Sequence, residues 1–191
     1  MLTLQIISAV LLLLNKWFLA RSPKTLGWIC GIVGVIILTI YLYIQMIFGH
    51  KANLWIMIIN NLALIPLMFY GFMVVVAKEK SHPKSFLEKW NIAFKIIVIS
   101  ITLSVCLFLL IELISAELVI IQFIFTISSL SGTLLLAFNK KVSNMFGWGS
   151  YLITHSLSAY TMFQISALIF GISQILSCAF ALYGIYQEIK K

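Results

Sequence analysis

Long apolar runs separated by short polar breaks form most of the chain. A helix needs about 20 apolar residues to cross the hydrocarbon core of a bilayer. The longest break, KEKSHPKSFLEKW, separates the first three runs from the others. The pattern predicts seven transmembrane helices, over residues 2–20, 26–48, 54–77, 91–113, 116–138, 146–163 and 167–187.

The composition agrees with this pattern. Of the 191 residues, 62% are hydrophobic and 9% are charged, whereas a soluble domain carries about 25% charged residues. Cys30, Cys106 and Cys178 lie far apart inside apolar runs and are expected to be core residues. We therefore expect an all-α integral membrane protein that contacts membrane lipid and binds no nucleic acid.

The formal net charge of +8 predicts the orientation of the protein in the membrane. With seven spans, one face receives almost every basic residue and the opposite face receives Lys51. The residues assigned to the basic face are Lys16, Arg21, Lys24, Lys78, Lys80, Lys84, Lys89, Lys140, Lys141, Lys190 and Lys191. Because cytoplasmic loops are enriched in Lys and Arg, we expect the N-terminus outside and the C-terminus in the cytoplasm. The expected location is a bacterial inner membrane.

Short sequence pairs recur in the two halves of the chain. Gly-Trp at residues 27–28 returns at 147–148, an offset of 147 − 27 = 120, and Tyr-Gly at 70–71 returns at 183–184, an offset of 183 − 70 = 113. Apolar helices share few residue types, so chance is one explanation. The matches keep their order along three consecutive spans, which favours an internal duplication.

A duplication divides the chain into three parts. The first three-helix repeat covers residues 1–77, a cytoplasmic loop and linker helix cover 78–115, and the second repeat covers 116–191. A single linker helix gives both repeats the same orientation. This 3+1+3 arrangement of parallel repeats, related by an axis along the membrane normal, occurs in transporters.

The stretches LGWICGIVG, YLYIQMIFGHKANLW and FYGF resemble the first repeat of the PnuC-type vitamin transporters, and GWGSYLITHSLSAYTMFQ with ALYGIYQEIKK resembles the second. Phe72 and Ile185 stand where members of that family often have Trp. The resemblance implies a plan like that of the SWEET sugar transporters, facilitated uptake of a vitamin precursor such as nicotinamide riboside, and a homotrimer.

Amide side chains within two of the predicted spans are candidate substrate contacts. Asn60 and Asn61 precede Pro66 in the third span, and Asn61 matches Gln174 at the offset of 113. Two amides at matching heights of the two repeats would flank the central axis, where such transporters hold their substrate. The resemblance to the SWEET plan also implies a substrate contact for Asn61 and Gln174. The alternative is a structural hydrogen-bond network around a kink at Pro66.

Polar residues also line one face of the fifth and the sixth span. Gln122, Thr126, Ser129 and Thr133 share a face of the fifth. Tyr151, Thr154, His155 and Ser158 share a face of the sixth. Such residues either join packed helices or line a pathway for a solute. A neutral imidazole can donate to and accept from a solute hydroxyl, so His155 is a candidate ligand-binding residue.

Glycine and tryptophan residues mark the starts of two spans. Gly27, Gly31 and Gly34 share one face of the second span, which predicts close helix packing. Trp28 and Trp148 lie just inside span ends. We expect them to be anchors at the membrane interface, although stacking on a ring is an alternative.

The sequence contains no paired acids, no metal-ligand spacing and no Gly-rich phosphate loop, and all five acidic residues are Glu at loops and span ends. We therefore expect no enzyme activity, no bound metal and no cofactor. The predicted function is facilitated diffusion of a small vitamin- or nucleoside-like solute, uncharged or cationic, by alternating access. The predicted substrate-binding residues are Asn60, Asn61, Gln122, Ser129, Tyr151, His155, Ser158 and Gln174. The alternatives are a non-transporting membrane partner, or assembly subunit of a larger complex, and a membrane enzyme.

Overall fold

The computed structural model describes residues 2–21, 24–48, 54–79, 117–138, 140–164 and 167–190. In these ranges the chain forms six helices: α1 (Leu2–Ala20), α2 (Lys24–Phe48), α3 (Trp55–Glu79), α4 (Glu117–Ala137), α5 (Lys141–Gln164) and α6 (Leu168–Lys190). The all-α prediction is confirmed for this part of the chain. The predicted span over residues 91–113, and with it the linker helix, lies outside the described residues.

Membrane embedding is visible in which side chains the helices bury. Large apolar residues face outward, for example Ile172, Ile175 and Leu182 on α6, each more than half exposed. Asn15, Asn60 and Thr133 are completely buried instead. A soluble protein hides apolar side chains from water, so this reversed distribution is that of a bundle surrounded by lipid.

Four of the described helices are long and apolar enough to cross a membrane: Leu2–Ala20, Lys24–Phe48, Met57–Ala77 and Leu168–Lys190. A shorter apolar segment, Ile124–Ala137, lies in α4. By length and composition, the described chain therefore has fewer candidate spans than the seven that the sequence predicts. The polar residues that α5 directs inward reduce the hydropathy of that helix.

The six helices form a ring. Each packs on the helix before and after it in the order α1, α2, α3, α4, α5 and α6, and α6 packs back on α1. Within α1–α3 and within α4–α6, the middle helix packs on the first and on the third. The two sets join where α3 packs on α4 and where α6 packs on α1. The ring leaves an interior that side chains from all six helices can reach.

The helices run in alternating directions within each set of three. Leu19, near the end of α1, packs against Gly27 at the start of α2. Trp17 on α1 stacks on Tyr183 near the end of α6, with ring centroids 6.3 Å apart. Because late residues of α1 and α6 meet, these two helices run parallel to each other. Arg21 Nε also donates to Tyr183 Oη over 3.1 Å at this end.

An identical tryptophan–glycine contact occurs in each half of the ring. A Cβ atom on Gly71 would lie 2.4 Å from Cζ2 of Trp28, and one on Gly184 would lie 2.3 Å from Cε2 of Trp148. Both indole rings are only 1% exposed. The expected interfacial position of Trp28 and Trp148 is therefore wrong, because each ring fills the gap that a glycine leaves on the third helix of its own set.

The glycine face of α2 is a packing surface, as predicted. Gly27 lies against Leu19 and Gly34 against Leu12, while a Cβ atom on Gly31 would lie 2.6 Å from Nδ2 of Asn15. The same amide nitrogen donates to the carbonyl oxygen of Gly27 over 2.8 Å. Small residues thus let α1 approach α2 closely enough for its side chains to bond the α2 backbone.

Two apolar clusters lie toward the two ends of the ring. We call the first the basic-end cluster; it includes Leu19, Trp28, Leu67, Val75, Leu136, Trp148 and Ala181. We call the second the opposite-end cluster; it includes Leu38, Tyr41, Leu42, Leu54, Met57, Met162 and Phe170. Tyr41 and Phe170 touch, with ring centroids 5.2 Å apart, although α2 and α6 are not neighbours in the ring.

Basic residues gather at the first of these ends. They lie at the ends of α1 and α6, at the starts of α2 and α5, and just after α4: Arg21, Lys24, Lys140, Lys141 and Lys190. This agrees with the predicted basic face for these five residues. Lys16 departs from the prediction, as described below.

Candidate functional site

A cavity lies inside the ring between the two apolar clusters. The cavity has a volume of about 60 Å³. That is room for about five water molecules. The polar residues of its wall come from five of the helices: Lys16, Asn61, Ser129, Thr133, Tyr151, Thr154, His155, Ser158 and Gln174. Leu, Met, Val and Phe side chains complete the wall.

Six of the eight predicted substrate-binding residues line this cavity: Asn61, Ser129, Tyr151, His155, Ser158 and Gln174. Asn60 does not; it is fully buried, and neither of its side-chain polar atoms has a hydrogen-bond partner in the described ranges. The side chain of Gln122 lies outside the described residues. Substrate binding by these groups stays a prediction.

His155 and Gln174 form a hydrogen-bonded pair between α5 and α6. His155 Nδ1 lies 2.6 Å from Oε1 of Gln174, and both side chains are buried. A carboxamide oxygen only accepts, so His155 Nδ1 carries the proton of this bond. In the neutral ring Nε2 is then a hydrogen-bond acceptor. It has no partner in the part of the chain that the structure describes.

Hydroxyl groups join α4 to α5 at the cavity wall. Thr133 Oγ1 and Tyr151 Oη are 2.8 Å apart, and Thr154 Oγ1 donates to Ser128 Oγ over 3.0 Å. These bonds support the first alternative for the polar stripes, the joining of packed helices, whereas a pathway for a solute stays a prediction. Thr133, Tyr151 and Thr154 join the helices and also line the cavity.

Asn61 supplies an amide to the wall from α3. It is 5% exposed, and its Nδ2 has no hydrogen-bond partner within the described ranges. The helix runs on through Pro66. Asn61 and Gln174 lie on the third helix of each set and face the same cavity, which agrees with the predicted positions of the two amides.

Lys16 is a cavity residue that the sequence prediction placed elsewhere. It is 4% exposed and lines the cavity instead of joining the basic face. Its Nζ lies 3.9 Å from the ring centroid of Tyr151 and donates to Oδ1 of Asn15 over 3.0 Å. The correction has a physical reason: helical side chains lean toward the N-terminus of their helix, so a lysine near the end of α1 leans into the bundle.

The sequence contained a signal for Lys16. Ser8, Leu12 and Lys16 are spaced by four residues, and they share a face of α1 with Asn15 and Leu19. Ser8 donates to the carbonyl oxygen of Gly34 over 2.9 Å, so this face points toward α2 and the interior. A polar face on an otherwise apolar helix predicts a direction away from lipid.

A buried carboxylate lies at the basic end of the ring. Glu188 is 4% exposed near the end of α6, and Asn144 Nδ2 donates to its Oε1 over 3.2 Å. The sequence prediction placed Glu188 at a span end, and the structure adds that its side chain is buried there. Glu188 and Asn144 belong to the basic end, and neither lines the cavity.

Comparisons with protein-family models, curated proteins and solved structures found no match for this chain. Within the described ranges, no group of three His, Cys, Asp or Glu residues is arranged to hold a metal ion.

Proposed function

We propose that this protein is a facilitator that carries a small vitamin- or nucleoside-like solute across a membrane by alternating access. The observation that carries the proposal is the position of the polar cavity. It lies inside a lipid-facing bundle, and residues of both apolar clusters contribute to its wall. Polar groups within a membrane protein usually mark a path for a solute or an ion.

The apolar clusters have the arrangement expected of two gates. Val35, Leu64 and Met68 belong to the cavity wall and to the basic-end cluster or its packing partners. Leu38 and Met57 belong to the wall and to the opposite-end cluster. A vitamin is larger than the five or so waters that this conformation accommodates, so one cluster has to separate before the solute enters.

The internal repeat supplies the moving parts. The Trp28–Gly71 and Trp148–Gly184 contacts and the order of the ring support two equivalent three-helix units. Rocking of one unit against the other would open one cluster while it closes the other. This motion gives alternating access without a separate gate domain.

The 3+1+3 plan is part of the proposal. Late residues of α3 and of α4 share the basic-end cluster, for example Val75 and Leu136, so the two helices end at the same side of the ring. The chain between them has to return to the opposite side. The apolar run over residues 91–113 is long enough to cross the bilayer once, which makes seven spans.

The orientation and the assembly are proposed on the sequence. Basic residues at one end place that end, with the C-terminus, in the cytoplasm of a bacterial cell. The resemblance to the PnuC-type transporters implies nicotinamide riboside as a first candidate solute and a homotrimer as the assembly. No catalytic role is proposed for the cavity residues.

Uptake into liposomes tests the function. Purified protein is reconstituted and offered labelled nicotinamide riboside, thiamine, riboflavin, nicotinate and deoxynucleosides, each with protein-free liposomes as the blank. We expect uptake of at least one solute that stops at equal concentrations inside and outside. Asn61→Ala and His155→Ala each remove one hydrogen bond, so each is expected to reduce uptake about three- to ten-fold.

A matched pair of serines on α5 controls for general damage to the helix. Ser158 lines the cavity, whereas Ser156 is exposed and donates to the carbonyl of Leu152. Ser158→Ala is expected to weaken uptake and Ser156→Ala to leave it unchanged. Uptake of no solute, together with a stable co-purifying protein, would reject transport in favour of a partner or assembly role.

A further inference from the structure

We propose that the cavity accepts a small organic monoanion, such as a ring-bearing monocarboxylate, and that Lys16 holds its negative charge. This inference rests on the proposed transport function and specifies the class of solute. It reverses the expectation of an uncharged or cationic solute, because the structure places an amine in the wall of the cavity.

Lys16 lies where a charge needs a partner. Its side chain is 4% exposed, and an isolated ammonium far from water is costly unless an opposite charge compensates it. Within the described ranges no Asp or Glu lines the cavity. The closest aromatic face, that of Tyr151, attracts the ammonium without neutralising it. An anionic solute would supply the missing charge.

The contacts of Lys16 orient the amine and leave donor capacity for a solute. An ammonium has three N–H donors. One is directed to Asn15 Oδ1 at 3.0 Å, and the ring of Tyr151 lies below the nitrogen. Asn15 is itself held by the carbonyl of Gly27, so Asn15 is a positioning residue for the amine.

The other groups of the wall match a carboxylate attached to a polar ring. Nδ2 of Asn61 can donate to an anion, as can the hydroxyls of Ser129 and Ser158. Nε2 of His155 can accept from an N–H or O–H on the same solute. With one cation in the described wall, a single negative charge is balanced and a second is not.

The charge of Lys16 also predicts exclusion. A solute with a fixed positive ring would disfavour the protonated form of the Lys16 amine, in a cavity whose described wall holds no carboxylate. Like charges at close range in a site of low dielectric repel strongly. Nicotinamide riboside carries such a ring, so we expect it to be a poor solute for this chain.

An isosteric series tests the charge preference directly. Nicotinate is an anion, nicotinamide is neutral and 1-methylnicotinamide is a cation, while their ring size is nearly constant. Binding is measured by calorimetry on the detergent-purified full chain, and uptake is measured in liposomes. Because a charge-assisted hydrogen bond is about twice as strong as a neutral one, we expect nicotinate to bind about ten-fold or more tighter than nicotinamide, and the cation to bind weakest.

Three lysine variants assign the preference to a residue. Lys16→Gln keeps a polar side chain without the charge, Lys16→Arg keeps the charge, and Lys141→Gln removes an exposed charge at the basic end. We expect Lys16→Gln to bind nicotinate and nicotinamide equally, and the other two to retain the preference for the anion. The wild-type series remains decisive even if a Lys16 variant fails to fold.

The possible results distinguish failure of the anion site from failure of the transport function. Equal binding of the three ligands by the wild type, tighter binding of the cation, or no binding of any of them would overturn the inference. An unchanged preference in Lys16→Gln would overturn it as well. Uptake of neutral nucleosides without a charge preference would leave the transport function standing and reject the anion site. Lys16-dependent binding of nicotinate without uptake of any solute would support the site and reject transport.

Discussion

Positions 71 and 184 require glycine because a tryptophan ring packs directly against each of them. The indole rings of Trp28 and Trp148 occupy the positions where a side chain would begin on these glycines. Each ring is buried inside its own set of three helices and has little room to move. The recurring pairs in the sequence are thus one packing contact, made twice.

Replacement of Gly184 by alanine is therefore expected to destabilise the protein. A Cβ atom there would lie 2.3 Å from Cε2 of Trp148, and overpacking of this kind costs about 1–3 kcal/mol. Gly149→Ala is the matched control, because nothing lies within 4 Å of a Cβ atom at that position. Alanine favours a helix over glycine by about 1 kcal/mol, so the control is expected to be neutral or more stable.

Thermal unfolding in one detergent compares the two variants with the wild type. Gly71→Ala is expected to behave like Gly184→Ala, since Cζ2 of Trp28 lies 2.4 Å from its Cβ position. Equal stability of Gly184→Ala and Gly149→Ala would show that the tryptophan contact does not constrain α6.

Lys16, Trp28 and Trp148 show that the type of a residue does not decide where its side chain lies. Lysine near a span end commonly extends to the interface, and tryptophan near a span end commonly anchors there. Both preferences describe a helix that meets lipid on the relevant side. The faces that carry Lys16, Trp28 and Trp148 meet other helices instead, and a single helix cannot specify this from its own sequence.

At the scale of elements, the helices themselves were predictable. The runs at 2–20, 54–77 and 116–138 correspond to Leu2–Ala20, Trp55–Glu79 and Glu117–Ala137. The start of α5 was predicted less accurately, because the helix begins at Lys141 rather than at residue 146. The polar stretch KVSN continues the helix beyond the apolar run, with Asn144 buried against Glu188.

The α4–α5 contact is expected to show energetic coupling. Thr133→Val and Tyr151→Phe each remove one hydroxyl of the bond between Thr133 and Tyr151 and retain nearly the same shape. Each single variant is expected to lose about 1 kcal/mol of unfolding free energy, because it leaves the other hydroxyl without this partner. The double variant is expected to lose less than the sum.

A double-mutant cycle measures the coupling from reversible unfolding in mixed detergent. We expect an interaction energy of about 0.5–1.5 kcal/mol. Phe at position 151 keeps the ring below Lys16, so the cycle does not remove the contact with the amine. Strict additivity of the two losses would contradict a direct bond between the helices.

For the whole molecule, the two ends of the ring differ in charge. Arg21, Lys24 and Lys190 belong to the basic end, whereas α2 reaches the opposite end with the apolar and exposed Phe48. Retention of basic segments in the cytoplasm orients the whole bundle. The side of the membrane that each end faces is therefore open to measurement.

Labelling of single cysteines is expected to report this orientation. In a background with Cys30, Cys106 and Cys178 replaced by Ser, Phe48→Cys should react with an impermeant maleimide on intact cells. Lys141→Cys, which is exposed at the basic end, should react only after the cells are permeabilised. The reverse pattern would place the basic end outside and contradict the proposed orientation.

The sequence by itself determined the helical class, the apolar helices, the recurrence of residue pairs between the two halves, and the polar faces of α4 and α5. These features depend on composition, on periodicity along one helix and on order along the chain. Only the tertiary structure decided that Lys16 joins Asn61, His155 and Gln174 in one cavity, and that each tryptophan is covered by a glycine. Such contacts join residues far apart in sequence, and helical periodicity specifies which residues share a face without specifying what that face meets.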